Sequence, residues 1–379
     1  TAVALLVKTG AAVNNAAPAN VKFRNWWGAT KRDDLLASLN KTDPKSAFIV
    51  SHPSGKNRFS LRPGESGTDY ATWPTIAELA NKGDFNGPYD ARDEALFAHS
   101  KTILLERFSK YFDSNFESQN LAVLHAGLAN PKSDYDPMAV RKDLLYRSAF
   151  DAAKIRPIQV KPFDRKYFYG ETVGKLCCRP SPDLLRQADN NLFLITRSHG
   201  VASPEGFPIF FAKSIVERDA LRGHARHVPF WLHPKQTQSH QAVDMFGSVQ
   251  SGINSNLSKA SRDYLAVLNL PNPDTDPATA ELIWMHALAI GYSPAYLSDN
   301  ADGIRENWPR IPLPATREDL LASAALGREV AALLDTETPV PGVISGAVRP
   351  ELKIIAVVSR AGGGALTPAE FALTAGWGS

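Results

Sequence analysis

The spacing of hydrophobic positions divides the chain into stretches of different predicted structure. Residues 1–60 begin with the continuous apolar run TAVALLVK, and shorter runs follow at VKFRNWW, SAFIV and NRFSL. A continuous apolar run is typical of a strand that is buried on both faces. Thr30 is placed to cap a short helix that ends at Leu39. The pattern therefore predicts alternating strands and helices in this first stretch.

A cluster of turn-forming residues predicts the main domain boundary. Residues 61–90 are rich in Gly, Pro, Ser, Thr and Asp, as in LRPGESGTDY and NKGDFNGPYD. We therefore place a first domain at residues 1–65 and a second at residues 66–379. Beyond the boundary, helical spacing predicts a helical region over residues 90–150, with one helix ending at Phe112.

The spacing changes towards a period of two between residues 155 and 235. The segments RPIQVKPF, KYFYG, NLFLITRS, FPIFFAKS and HVPFWLHP are short, aromatic and β-branched, and Gly, Pro and Asp turns separate them. This pattern predicts a small, twisted antiparallel sheet.

Helical spacing returns over residues 250–335, and a closing strand is predicted at residues 351–359. Asp276 and Thr316 stand at the positions of N-caps for the first and third of three predicted helices, while Pro309 stops the second. One face of the third helix combines leucine with small residues, which would let another helix approach closely: Leu320, Ala324, Gly327, Ala331 and Leu334.

Charge is unevenly distributed along the chain. The formal net charge of the 379 residues is only +3, yet residues 141–235 hold 17 Lys and Arg against 9 Asp and Glu. This excess predicts a concentrated basic surface of the kind that binds nucleic acid. The alternative is a solvated face whose counter-charges lie elsewhere in the fold.

Cysteine content and hydropathy limit the cellular context. The two cysteines, Cys177 and Cys178, are adjacent, so a disulfide framework is excluded and a reducing cytoplasm fits best. The longest apolar run, residues 2–7, is too short to span a membrane and has no basic segment before it. Because the chain begins with Thr, we expect a fragment of a longer protein.

No catalytic motif is complete in the sequence. There is no glycine loop for S-adenosylmethionine, no N-P-P-Y tetrad, no G-x-S-x-G elbow and no nuclease carboxylate pair with its lysine. Four histidines cluster in RSHGVASPEGF and RGHARHVPFWLH, and DNA-facing, structural, and catalytic or metal-binding roles all stay open for them: His199, His224, His227 and His233.

Three segments carry a resemblance to a known family. They are YSPAYLSDN with NWPRIPLP, the helix containing ALGREVAALL, and KPFDRKYFYG. Together they resemble the C-terminal specificity region of Type ISP restriction–modification enzymes, which combine restriction with N6-adenine methylation. The opening TAVALLVKTG resembles the end of the methyltransferase domain in that family.

The resemblance implies an α+β chain. A remnant of a Rossmann-like methyltransferase sheet would precede a mixed target-recognition domain with a small antiparallel sheet and a helical bundle. The implied function is sequence-specific recognition of double-stranded DNA, beside upstream methyltransferase, helicase and nuclease domains of the same polypeptide. No cofactor is expected in this chain; S-adenosylmethionine and ATP with Mg²⁺ would bind the parent enzyme elsewhere.

Candidate DNA contacts come from the basic stretch, because only there do a basic excess and polar loops coincide. Phosphate contacts provide affinity, and contacts to base edges provide sequence discrimination. The residues expected to contact phosphates are Lys161, Arg165, Lys166, Lys175 and Arg179. The residues expected at base edges are Arg197, His199, Arg222, His224 and Arg226.

Two functions of other classes remain open at this point. An enzyme acting on a phosphorylated small molecule would bring His199, His224 and His227 together in one closed pocket. A protein-interaction module would expose a large apolar face on the helices of residues 276–335. Whatever the function, the segment from Trp308 to Pro312 is predicted to fix a turn against the sheet.

Overall fold

The computed structural model describes residues 21–26, 28–40, 48–53, 61–63, 69–198, 207–222, 224–234, 253–335 and 338. The chain divides into two compact units, one of Thr1–Ala71 with Asp299–Gly303 and one of Thr72–Ser298 with Ile304–Ser379. The predicted strands at TAVALLVK, at most of NRFSL and at residues 351–359 lie outside the described residues. In the part of the chain that is described, no helix has the length and apolarity needed to cross a membrane.

The first unit contains a small sheet and a helix. Strands β1 (Val21–Phe23) and β2 (Ile49–Ser51) pair antiparallel, with helix α1 (Lys31–Leu39) between them in sequence. Thr30 occupies the N-cap of α1, as predicted, but its hydroxyl donates to Asp34 Oδ2 at 3.0 Å instead of accepting from the backbone. The described residues of this unit do not show a Rossmann-like sheet, which stays a prediction.

Short helices make up most of residues 90–150, as predicted. The two longest of them begin where a side chain accepts a hydrogen bond from a backbone N–H: Ser100 does so before the helix Lys101–Tyr111, and Asp136 does so before the helix Pro137–Arg147. The stretch from Leu121 to Ala129 is broken at His125, whose ring Nδ1 accepts from Gly127 N at 3.1 Å. The helices are α2 (Ile76–Leu79), α3 (Lys101–Tyr111), α4 (Leu121–Leu124), α5 (Ala126–Ala129) and α6 (Pro137–Arg147).

The prediction of one antiparallel sheet is wrong in its architecture, since the described residues form two four-stranded sheets. Their strands are β3 (Phe85–Asn86), β4 (Phe97–Ala98), β5 (Ile155–Lys161), β6 (Asp164–Tyr169), β7 (Phe193–Thr196), β8 (Phe210–Ala212), β9 (Ile215–Val216) and β10 (Arg226–Pro229). The first sheet has the order β3-β10-β7-β8 and is antiparallel; the second has the order β4-β6-β5-β9, in which β5 and β9 run parallel. A short helix, α7 (Pro182–Leu185), precedes β7, and β11 (Trp231–Leu232) pairs with β12 (Asn254–Ser255).

A buried histidine connects the two sheets. His227 in β10 is 0% exposed, and its Nε2 accepts a hydrogen bond from Val216 N in β9 at 2.8 Å. Its Nδ1 lies 3.3 Å from Phe85 O in β3, where it donates. Both ring nitrogens are therefore used by the backbone.

The C-terminal helices confirm most of the predicted boundaries. Asp276 caps α9 and Thr316 caps α12 through their side chains. The second of the three predicted helices is two short helices, interrupted at Asn300. The described helices of this part are α8 (Lys259–Val267), α9 (Pro277–Gly291), α10 (Pro294–Asp299), α11 (Ala301–Glu306) and α12 (Arg317–Leu334).

Helix α12 packs on α9 through the predicted face. All five residues of that face, from Leu320 to Leu334, are buried. A Cβ added to Gly327 would lie 1.8 Å from Met285 O, so only glycine allows this approach. The small-residue face is confirmed, and α9 and α12 together with the two sheets contribute to one hydrophobic core.

The segment that follows α11 makes a different contact from the one predicted. Pro309 O accepts from Ile76 N at 3.0 Å, and Arg310 Nη1 donates to Trp73 O at 2.6 Å. Pro312 O lies 2.7 Å from His286 Nε2 in α9. The described contacts therefore hold the segment against the start of α2 and against α9. With helices and several small sheets in one chain, the fold is α+β, as predicted.

Candidate nucleic-acid interface

Strand register brings most of the predicted base-edge residues to one edge of the first sheet. Arg226 begins β10 and lies opposite Thr196, which ends β7. β7 therefore ends, and β8 and β10 begin, at the same edge of the sheet; we call this edge, with the described residues that adjoin it, the loop edge. Arg197, Arg222, His224 and Arg226 belong to it, whereas His199 lies outside the described residues.

Arg226 has its guanidinium held in place at the loop edge. Nη1 lies 2.8 Å from Asp84 Oδ1, and Nε donates to Ser198 Oγ at 3.2 Å. Arg222 is exposed. Arg197 is only 4% exposed, so a contact with a base would require its side chain to leave the interior.

His224 sits at a tight turn of the loop edge. Its φ is +70°, in the left-handed region, and its backbone N–H donates to Leu221 O at 3.1 Å. Arg218 Nη2 lies 2.7 Å from the ring Nε2, and Asp219 Oδ1 lies 2.8 Å from Nδ1. Because the guanidinium can only donate, Nε2 accepts, and the ring proton on Nδ1 is donated to Asp219.

The tip of the β5–β6 hairpin lies beside the loop edge. Lys161 is exposed, and its Nζ donates to Asp219 O at 2.6 Å. Phe163 at the tip is 51% exposed and lies edge-on to Phe210, with 6.0 Å between the ring centroids. Arg165 is exposed one residue further along β6 from the buried Asp164. The hairpin thus adds two basic side chains and an aromatic ring to the surroundings of the loop edge.

The other predicted phosphate contacts are placed differently. Arg179 is exposed and exchanges two backbone hydrogen bonds of 2.9 Å with Tyr89, whose ring lies under Arg218. Lys166 is 8% exposed, and its Nζ lies 2.7 Å from Glu94 Oε2. Lys175 is exposed and lines a cavity of about 700 Å³ with residues of the segment 118–140. The structure brings Lys161, Arg165 and Arg179 towards the loop edge and holds Lys166 in an internal ion pair.

Buried carboxyl groups beneath the loop edge carry less negative charge than exposed ones would. Glu217 is 6% exposed and accepts from Asp219 N at 2.6 Å. Burial raises the pKa of Glu217 to about 7, and burial also raises the pKa of Asp90. Partial neutralisation of Glu217 near pH 7 favours the approach of an anion to this part of the surface.

Among the described histidines, His227 has a structural role and no part in a reactive centre. Burial lowers the pKa of His227 to about 4, and both of its ring nitrogens serve the backbone. The ring therefore stays neutral and structural. Among the described residues, no group of three or more His, Cys, Asp or Glu side chains could hold a metal ion. Cys177 and Cys178 are free, and burial raises the pKa of the Cys177 thiol.

Comparison with known proteins identifies the family. The family described as the Type ISP C-terminal specificity domain matches residues 84–350. The chain belongs to this family. The matched residues include both four-stranded sheets, the loop edge and helices α8 to α12.

Solved structures that are similar to this chain include two DNA complexes. The ATP-dependent Type ISP restriction-modification enzyme LlaBIII bound to DNA has a TM-score of 0.52 at 14% identity, over 76% of this chain and 18% of LlaBIII. The DrdV–DNA complex has a TM-score of 0.49 at 17% identity, over 80% of this chain and 29% of DrdV. The chain thus spans less than a third of either enzyme. A comparison with curated protein sequences finds no match.

Two side chains of the specificity domain's loop edge were missed in the sequence. Arg218 touches His224 and Tyr89, and Asp84 pairs with Arg226. Arg218 stands directly before Asp219, so its charge looks locally cancelled. The one available signal was its position in the same turn-rich stretch as Arg222. Asp84 is distant in sequence, and nothing local indicates its partner.

The two alternative functions find little support in the specificity domain. The enzyme alternative needs His227 in an accessible pocket, and the ring is fully buried between two sheets. The interaction alternative needs a large apolar face, whereas α9 is almost wholly buried. Helix α12 exposes Leu321, Leu326 and Leu333, and three exposed leucines fall short of a large apolar face.

Proposed function

We propose that this chain recognises a target sequence in double-stranded DNA as the specificity part of a Type ISP restriction–modification enzyme. Membership of the specificity-domain family supports this, as does the fold it shares with LlaBIII, an enzyme solved bound to DNA. The observation that carries the proposal is the register of β10 against β7, which gathers Arg222, His224 and Arg226 at the loop edge. The exposed Lys161, at the adjoining hairpin, adds a further positive charge.

The proposal divides the basic residues between two roles. Lys161, Arg165, Lys175 and Arg179 would bind phosphates, because they are exposed and a point charge or guanidinium on a phosphate gives affinity without sequence discrimination. Lys166 could join them only by leaving Glu94. Arg222, His224 and Arg226 would reach base edges, where one good bidentate contact discriminates by about 1–3 kcal/mol. Arg197 and His199 remain candidates for the same role.

We further propose that the parent protein supplies the chemistry. Upstream methyltransferase, helicase-like and nuclease domains would act on the DNA that this chain holds, with N6-adenine methylation of a flipped base as the modification. S-adenosylmethionine and ATP with Mg²⁺ would bind those domains. The expected site of action is the cytoplasm.

The test is the salt dependence of duplex binding by Lys161→Gln. Neutralising one phosphate contact should weaken binding several-fold at low salt and reduce the slope of log K against log salt by about 1. Fluorescence anisotropy of a labelled mixed-sequence duplex, titrated at several KCl concentrations, measures both. Thermal unfolding of the variant checks that the hairpin still folds.

The matched control is Lys259→Gln. Lys259, in α8 and outside the basic stretch, has 87% of its side chain exposed and pairs with Asp263 one helical turn away. Its neutralisation should leave affinity and slope unchanged. Equal effects of the two substitutions would contradict the assigned surface, and the absence of salt-sensitive binding by the wild-type chain would contradict the function.

A further inference from the structure

The tip of the β5–β6 hairpin holds a bulky aromatic residue in an unfavourable backbone conformation. Phe163 has a φ of +65°, in the left-handed region. Glycine adopts this region without strain and asparagine tolerates it, but a large aromatic residue there is an outlier. Such outliers persist where the surrounding structure enforces them, and they concentrate at ligand-binding sites. The backbone conformation therefore indicates a functional role for the side chain of Phe163.

The hairpin fixes where the ring of Phe163 lies. Lys161 and Asp164 are paired directly on either side of the tip, and Gln159 pairs with Arg165 beyond them. The ring meets Phe210 almost perpendicularly, at an interplanar angle of 88°. Phe210 is buried and anchors this contact, yet Phe163 remains 51% exposed. Part of the ring is held and the rest is presented to solvent.

Exposed basic residues stand on both sides of Phe163 in the hairpin. Lys161 and Arg165 flank it and are exposed, while the carboxylate residue between them, Asp164, is 8% exposed. The Nζ of Lys161 reaches the turn that carries Arg218, and the Asp219 carboxylate of that turn already accepts from His224. An exposed aromatic ring among cations is complementary to nucleic acid, since the cations bind phosphates and the ring stacks on a base.

We propose that Phe163 is a stacking wedge, whose ring contacts the face of a nucleobase and partly unstacks a base step beside the sequence read by the loop edge. The inference rests on the proposed function and adds a residue to it. It assigns Phe163 a base contact that does not depend on hydrogen bonding. Apolar side chains inserted between base steps distort duplexes in this way in other DNA-binding proteins.

The experiment compares Phe163→Gly and Phe163→Leu with the wild-type chain. Glycine relieves the backbone conformation and removes the ring; leucine keeps apolar packing on Phe210 but has no π face. The probe is a 30-base-pair duplex selected from a random pool by the wild-type chain. Affinity and its salt slope are measured by anisotropy. Unstacking is measured by permanganate oxidation at each thymine and by 2-aminopurine fluorescence at each adenine.

We expect the glycine variant to bind about tenfold more weakly than wild type with an unchanged salt slope, because a base contact is lost and no phosphate contact is. The wild-type complex should show an unstacked position that disappears in the glycine variant, whereas the leucine variant, which keeps an apolar side chain but has no ring to stack, should bind with an affinity between those of the other two proteins. Tyr146→Leu is the control: Tyr146 is an exposed aromatic residue on α6, and its loss should change neither quantity.

The outcomes separate the wedge from the function. If the wild type shows salt-sensitive binding but the glycine variant binds as tightly as the wild type, or the wild-type complex shows no unstacked position, the wedge alone is overturned. A loss of affinity with a reduced salt slope in both variants would also overturn it, since the hairpin's phosphate contacts would then have failed. A wild-type chain that binds no duplex would overturn both.

Discussion

Two arginines show how a basic composition can include charges that never reach the surface. Arg92 is 0% exposed and donates through Nε to Leu176 O at 3.1 Å and through Nη2 to Lys175 O at 3.0 Å. Arg141 is 2% exposed and donates to Tyr111 O at 2.8 Å. Each guanidinium connects separate segments of the chain, because it donates hydrogen bonds to several backbone carbonyl oxygens at once. Since Arg141 is one of the 17 basic residues of the stretch 141–235, the basic excess there overstates the charge that is presented to a ligand.

Replacing Arg92 should reveal its structural role. In Arg92→Met the carbonyls of Lys175 and Leu176 lose their donors inside the protein, so we expect unfolding to become easier by about 3 kcal/mol or more. Urea denaturation measures this. Arg147→Met is the control, because Arg147 is half exposed and pairs with Asp143 one helical turn away, where the expected change is within about 0.5 kcal/mol. A change of similar size in the two variants would contradict the assignment.

At the scale of elements, local signals predicted the helices well. Asp276 and Thr316 cap α9 and α12 as expected, because a cap depends on residues within one turn. The buried face of α12 could also be predicted, since helical spacing alone places Leu320 and Gly327 on one side. What the sequence could not predict was the partner of that face, because Met285 and Gly327 are brought together only by the fold.

Substitution of Gly327 tests this contact. An alanine in an exposed helix position stabilises by about 1 kcal/mol relative to glycine. In Gly327→Ala, however, the added Cβ would lie 1.8 Å from Met285 O, so α12 must move away from α9. We expect a net destabilisation of about 1–3 kcal/mol, measured by urea denaturation. Ala325→Gly, at an exposed position of the same helix, should lose only about 1 kcal/mol by helix propensity. A more stable Gly327→Ala would show that the helices are not in close contact.

Across the whole molecule, the arrangement of strands depends on contacts between distant residues. Period-two spacing correctly predicted strands such as β5 and β7, but it could not assign them to two sheets. That division depends on β9, only two residues long, running parallel to β5, and on His227 between the sheets. The candidate site likewise has features that local sequence predicts and features that depend on tertiary packing. Arg226 was predictable as a basic loop residue, whereas the burial of Arg197 and the pairing of Lys166 with Glu94 follow from tertiary packing.

The buried position of His227 between the two sheets makes the free energy of unfolding depend on pH. Its folded-state pKa of about 4 lies below the ordinary value of 6.5, so its contribution is fully present above pH 6.5 and is lost as the pH falls towards 4. The loss should reach about 3 kcal/mol. At pH 7.5, His227→Gln should have a lower free energy of unfolding than wild type. This difference between the two proteins should be smaller at pH 4.5. Urea denaturation of both proteins across this pH range measures the two free energies of unfolding. If these free energies change in parallel with pH, the titration of His227 does not contribute to the pH dependence.

The register of the first sheet has a consequence for how such a protein changes over evolutionary time. Ile195 pairs with Phe210 and Thr196 pairs with Arg226, so the segment 197–209 and the segment before β10 both begin and end on hydrogen-bonded strands. Insertions, deletions and substitutions within those segments leave the ladder between the strands intact. If the loop edge reads DNA as proposed, a lineage can exchange one preferred DNA word for another mainly through connecting residues, while the pairing of β7, β8 and β10 is inherited unchanged.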